Sequence, residues 1–150
     1  MNAIKLACIL LFVCVPIVSC HENPTNQTTV TESILQAVID SPDVDQFFHI
    51  DIFPYRKPLL LTGAGIGDAR LSKFGEPVKI LQGRELEKYD NDALLGKYPP
   101  YYLKVTSIKI ASDGKQATVK LDYPAEGVLC SIQLKKNETW DVEKCKIISY

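Results

Sequence analysis

From Tyr102 to Tyr150, apolar residues recur at every second position: Ile108 and Ile110; Ala117, Val119, Leu121 and Tyr123; Val128, Cys130, Ile132 and Leu134; Trp140 and Val142. A period of two fits strands with one buried face and one wet face. Turn chemistry divides the stretch into four strands and fixes their register. Asp113-Gly114 is a two-residue hairpin signal, placing Ile110 opposite Ala117 and Ile108 opposite Val119. Pro124-Ala125-Glu126-Gly127 is a four-residue turn that pairs Tyr123 with Val128, Leu121 with Cys130, Val119 with Ile132 and Ala117 with Leu134. In the last strand the apolar phase changes: Trp140 and Val142 face in, then Cys145 and Ile147. One extra residue near Glu143-Lys144, a β-bulge, restores the phase. With Leu134 opposite Trp140, that bulge sets Cys130 directly opposite Cys145. A cross-strand disulfide closing about fifteen residues is the expectation, worth roughly 3 kcal/mol in the chain-entropy treatment.

A sheet with one apolar face needs a cover. Thr29-x-x-Glu32 forms a capping box, after which Val30, Ile34, Leu35, Val38 and Ile39 fall on one helical stripe. Ser41-Pro42 stops this helix and starts a second, short one ending near Phe48, with Asp43 and Asp45 against its dipole. Residues 49–58 alternate and then break at Pro54 and Pro58, which suits an edge segment or a loop. Leu59-Leu60-Leu61 reads as a short strand or packed turn, 63–68 as a loop, Leu71–Phe74 as one helical turn closed by Gly75, and Val78–Leu81 as a strand. Residues 84–95 are open between helix and irregular chain, with Gly96 as a stop. Helices followed by a meander resemble the cystatin-like or NTF2-like α+β fold. The resemblance implies N-terminal helices packed on a curved antiparallel sheet with a C-terminal four-stranded meander. It spans residues 29–150, rests on element order, and transfers no functional residue.

The first residues differ from the rest. Leu6 to Val18 is an apolar run of thirteen residues behind Lys5, roughly 20 Å as a helix and too short to span a bilayer. This is the pattern of a secretory signal peptide. Its end, Ile17-Val18-Ser19-Cys20, resembles the lipobox of bacterial lipoproteins, with Ile and Val where Leu and Ala are commoner. The resemblance implies removal of residues 1–19, a lipid on Cys20 and a polar tether over residues 20–28 ahead of a single domain at 29–150. An ordinary signal peptide is the alternative, and the Asn-x-Thr sequons at Asn26 and Asn137 suit a secreted protein. Cysteine usage fits the lipoprotein: Cys8 and Cys14 leave with the signal, Cys20 takes the lipid, and Cys130 and Cys145 are free to pair in an export compartment. Loss of Lys5 leaves 16 basic residues against 18 acidic ones, net −2. That balance gives no electrostatic footprint for nucleic acid.

Several groupings invite a chemical reading. Gly63-Ala64-Gly65-Ile66-Gly67 resembles the opening of a dinucleotide site, but Asp68 stands at the third glycine position and would repel phosphate; the expectation is a mobile loop without nucleotide or other cofactor. His49 is the single candidate base of the domain, with Asp51 two residues on. No nucleophile motif or second histidine accompanies it, so it reads as a satisfied side chain. Arg56-Lys57 between two prolines could hold a carboxylate or a phosphate, or could simply solvate a turn. Glu85, Glu87, Asp90 and Asp92 lack the spacing of a calcium loop and read as a solvated face, leaving no metal site. Tyr98-Pro99-Pro100-Tyr101-Tyr102 combines stiff prolines with three amphipathic rings. The outward meander face (Thr118, Lys120, Asp122, Ser131, Gln133, Lys135) carries no aromatic anchor. A protein-binding site is therefore expected at Tyr98, Tyr101 and Tyr102 beside Arg56, unless the rings merely anchor the start of the sheet. The functional expectation is a non-enzymatic, lipid-anchored envelope protein that binds another protein, as immunity or inhibitor lipoproteins do. The alternative is an NTF2-like small-ligand binder or enzyme with a pocket at the mouth of the sheet.

Overall fold

The computed structural model describes residues 24–97 and 101–150, with side chains from Thr28 onward. Helix α1 spans Pro24–Asp40 and a one-turn helix α2 spans Pro42–Asp45. α1 starts at Pro24, so residues 24–28, expected in the tether, are helical. Proline suits a first helical position because its missing N–H has no intrahelical partner there. Thr29 and Glu32 consequently lie inside the helix, and Glu32 accepts a hydrogen bond from Arg70 N at 2.8 Å instead of closing a cap. The apolar stripe behaves as its spacing predicts: Ile34, Leu35, Val38 and Ile39 are fully buried. Each such side chain is worth about 1.5–3 kcal/mol of burial.

The main sheet contains β1 (Leu60–Gly63), β4 (Lys79–Ile80), β5 (Leu103–Ile110), β6 (Gln116–Tyr123), β7 (Val128–Lys136) and β8 (Trp140–Ser149), in the order β4-β1-β5-β6-β7-β8. β5 to β8 form the expected antiparallel meander. Ile110 faces Ala117 and Ile108 faces Val119; Tyr123, Leu121, Val119 and Ala117 face Val128, Cys130, Ile132 and Leu134. The sheet as a whole is mixed, which corrects the all-antiparallel expectation: β1 runs parallel to both β4 and β5. Parallel neighbours need long crossovers. The first carries a small hairpin of β2 (Ser72–Lys73) and β3 (Glu76–Pro77), and the second carries α3 (Gly83–Leu94). The hairpin replaces the helical turn expected at Leu71–Phe74. Phe74 and Gly75 both have positive φ, 58° and 78°, as a two-residue primed turn requires.

β8 contains the expected bulge, for Gln133 pairs with Lys144 and Leu134 with Val142, leaving Glu143 extra. The register is otherwise two residues from expectation. Trp140 lies opposite Lys136, Cys145 opposite Ile132, and Cys130 opposite Ile147. Cys130 and Cys145 are thus diagonal neighbours and stand as free thiols. Direct opposition, on which the disulfide expectation rested, does not occur.

Gly63 ends β1 with φ 136°, and a Cβ there would meet the Val105 carbonyl oxygen at 2.1 Å. The close passage of β1 over β5 therefore demands glycine. Gly65, by contrast, has positive φ but open space around it. Gly63→Ala should destabilise the fold by about 3 kcal/mol or more, and Gly65→Ala by about 1 kcal/mol. Paired urea unfolding curves measure the difference.

Candidate partner-binding surface

Residues 47–57 form a loop folded against the β6–β7 turn, and Arg56 is the pin between them. Its side chain is only 6% exposed. Nη1 donates to Phe47 O at 3.3 Å, Phe48 O at 3.2 Å and Glu126 Oε1 at 2.6 Å. The guanidinium carbon lies 4.3 Å from the centre of the Phe53 ring and 5.9 Å from that of Tyr123. Burial, the largest single influence, works against the charge of Arg56, but the hydrogen bond to Glu126 and the electrostatic attraction of Tyr123, Glu126 and Tyr55 together outweigh it, and the guanidinium pKa is raised. The cation that could hold a carboxylate thus holds one from its own chain. Among the described residues Arg56 Nε has no hydrogen-bond partner. His49, with φ 48°, reaches Glu126 Oε2 at 3.6 Å. Lys57 lies 5.4 Å from the Phe74 ring centre.

This clamp sets the position of an aromatic run on the neighbouring surface. Ile52 is 68% and Tyr55 49% exposed. The Tyr55 ring stands 5.8 Å from Phe53 and 5.8 Å from Tyr101, the latter edge-on at 72°. Tyr101 in turn packs at 5.6 Å on Tyr89, and Tyr102 at 5.8 Å on the same ring. Tyr89 belongs to α3 and forms a second small core with Leu60 and Leu81. Tyr101 and Tyr102 are therefore half-buried supports that tie α3 to the start of β5. Burial, followed by the nearby Asp90 carboxylate, raises the Tyr102 pKa. Tyr98 lies outside the described residues. Tyr55 and Ile52 are the members of this surface that sequence reasoning missed; Phe53-Pro54-Tyr55, aromatic rings around a proline, was the available signal.

The remaining groupings fall elsewhere. The glycine loop is pinned: Ile66 is buried in the core and Gln82 Nε2 donates to Gly67 O at 3.1 Å. An open depression of about 340 Å³ lies beside it, lined by Asp68, Gln82 and Glu85 among others, and one of about 530 Å³ lies under the β2–β3 hairpin. Glu85 pairs with Lys79, and Asp92 with Lys97 at 2.6 Å. Among the described residues no group of His, Cys, Asp and Glu could hold a metal ion. Comparison with known proteins returns no match: no family model fits the chain, and neither a curated protein nor a solved structure matches it.

Two buried groups of the main core titrate late. Burial pushes the Tyr123 hydroxyl up to about 12 and the Cys130 thiol up to about 12. Both are neutral in the fold at a pH where the unfolded chain, with values of 10.0 and 9.0, has already lost the protons. Folded-state pKa values above unfolded ones contribute stability that is complete below the unfolded pKa and is lost as pH rises through the folded one. The urea midpoint should therefore hold below about pH 9 and fall between pH 9 and 12. Tyr123→Phe should flatten the part of the fall above about pH 10.

Proposed function

We propose that this chain is a lipid-anchored protein of the bacterial cell envelope that binds another protein, as immunity and inhibitor lipoproteins do, and carries out no chemistry of its own. The observation that carries the reading is the half-exposed Tyr55 ring, seated on Tyr101 and Phe53 next to exposed Ile52. Binding hot spots are rigid aromatic side chains that lose little entropy when covered. Tyr55 is held on both sides before any partner arrives. The buried Arg56 contributes by fixing the loop that presents it. The finer fold reading is the cystatin-like or NTF2-like one, supported by α1 lying across a four-stranded meander, with β1 and β4 as additions at one edge.

Anchoring follows from Ile17-Val18-Ser19-Cys20, and α1 begins only four residues after that cysteine. Four residues span at most about 14 Å, so a lipid on Cys20 keeps the helix close to the bilayer surface. Among the described residues no helix is long and apolar enough to cross a membrane.

Three measurements test the reading. Replacing Cys20 with Ala should move the protein from the membrane fraction to the soluble one, because acyl burial contributes about 0.8 kcal/mol per CH₂. Equal retention of the variant would refute the anchor. A photo-crosslinking residue at position 55 should give one discrete protein adduct in intact cells, and the same residue at Lys120 should give none. Once that partner is isolated, Tyr55→Ala should weaken binding by about 2 kcal/mol, close to thirtyfold. Equal adducts from both positions would place the partner site elsewhere.

A further inference from the structure

β8 is the longest strand, ten residues from Trp140 to Ser149, and among the described residues its outer side pairs with no strand. Tyr150 N donates to Gly127 O at 2.9 Å. Backbone groups alternate along an antiparallel strand, so Cys145, Ile147 and Ser149 turn their N–H and C=O toward the open side. The bulge at Glu143 shifts the phase by one residue, and Trp140 and Val142 therefore join the same outward-directed set. Trp140, Val142, Cys145 and Ile147 also share the inward side-chain face, since they pair with inward-facing positions of β7.

A strand with this pattern can pair with itself. In an antiparallel pair related by a two-fold axis between Glu143 and Lys144, Val142 meets Cys145 of the second copy and Trp140 meets Ile147. In a regular strand this register would oppose side chains on different faces; the bulge makes the faces agree. The charges then agree as well. Asp141 falls opposite Lys146 of the second copy and Glu143 opposite Lys144, and the symmetry repeats both contacts. All four side chains are exposed and, among the described residues, none makes an ion pair within its own chain. Ile147 is 38% exposed and lies on this edge. Lysines and bulges usually keep sheet edges apart, but here every lysine of the strand finds a carboxylate at its symmetric position.

We propose that the protein forms a symmetric homodimer through β8, joining two six-stranded sheets into one. Its partner at this edge is a second copy of the same chain, independently of what binds at Tyr55. The test uses the purified full chain in mild detergent, with light scattering and sedimentation reading its mass. Wild type should be a concentration-dependent dimer. Lys144→Glu with Lys146→Glu turns all four cross-strand contacts into like-charge ones, as does Asp141→Lys with Glu143→Lys. Either double variant should raise the dissociation constant more than about tenfold, with unchanged circular dichroism because the altered side chains are exposed. Mixing the two variants should restore the dimer, since opposite charges again face each other. A wild type that stays monomeric up to its solubility limit overturns the proposal. So do variants that dimerise as well as wild type, or a mixture with no gain over its components.

Discussion

A meander with one apolar face cannot stand alone in water, and most of this fold follows from covering that face. On β6 and β7 every inward residue from Ala117 to Leu134 is buried, while Lys120, Gln133 and Lys135 between them are exposed. The cover is α1 together with Phe48, which meets Tyr123 edge-on at 6.1 Å and Phe74 at 5.5 Å. The outer side of α1 is then put to use. Gln36 accepts from Ser72 N at 3.1 Å and donates to Ser72 O at 2.9 Å, so one side-chain amide behaves like a neighbouring strand. Lys73 extends the same attachment to Asp45 at 2.7 Å. The small β2–β3 hairpin is thereby fastened to a helix by polar contacts, with Phe74 as its apolar root.

Arg56 is the second organising group, and its energetics differ from those of the core. A buried cation is tolerable only when its desolvation is offset by charge and hydrogen bonds. Glu126 supplies the charge, two loop carbonyls supply bonds, and the Phe53 face supplies an electron-rich surface. Removing any partner would leave the guanidinium poorly satisfied, so the loop and the β6–β7 turn are coupled to one another. That coupling explains how Tyr55 can be exposed and yet fixed. Trp140 shows a related compromise: its buried indole Nε1 has no hydrogen-bond partner among the described residues, while Lys136 lies 5.9 Å from the ring centre.

What could be read from the chain was what depends on short-range rules. Alternation and turn chemistry gave the β5–β6 and β6–β7 registers because Asp113-Gly114 and Pro124–Gly127 fix strand ends within a few residues. The β7–β8 register escaped because β7 continues through polar Lys135 and Lys136, where the apolar alternation has stopped. The turn after it is tight, with Asn137 N bonded to Thr139 O at 3.0 Å. Lys136 occupies the position opposite Trp140, with its Nζ 5.9 Å from the centre of that ring, so a charged residue stands where the alternation calls for an apolar one. The β2–β3 turn was hidden for another reason: Phe74 adopts a positive φ that sequence preference assigns to Asn, Asp or Gly, and tertiary contacts with Phe48 hold it there. The parallel placement of β1 depends on Gly63 and Val105, 42 positions apart, and no local pattern announces such a contact. For the candidate surface, Tyr101 could be found as an aromatic in a stiff segment. Tyr55 could not be ranked without knowing that Arg56 beside it turns inward.

The two edges of the sheet show how one local irregularity can satisfy several constraints. At one edge β4 is only two residues long, which offers little backbone to a passing strand. The other edge cannot be shortened in that way, because β8 must run far enough to bury Trp140 and bring Tyr150 to Asp122, where the hydroxyl bonds at 3.0 Å. A regular strand of that length starting from inward Trp140 would turn Lys144 and Lys146 toward the core and Cys145 and Ile147 toward water. The extra residue at Glu143 reverses this. The lysines face solvent, while Val142 and Cys145 pack against the core. The same insertion is what gives the open edge matching faces under a two-fold axis. The symmetry of the edge is thus a consequence of the core's demand on phase, and what is specific to the edge is the choice of Asp141 and Glu143 before the bulge and lysine after it.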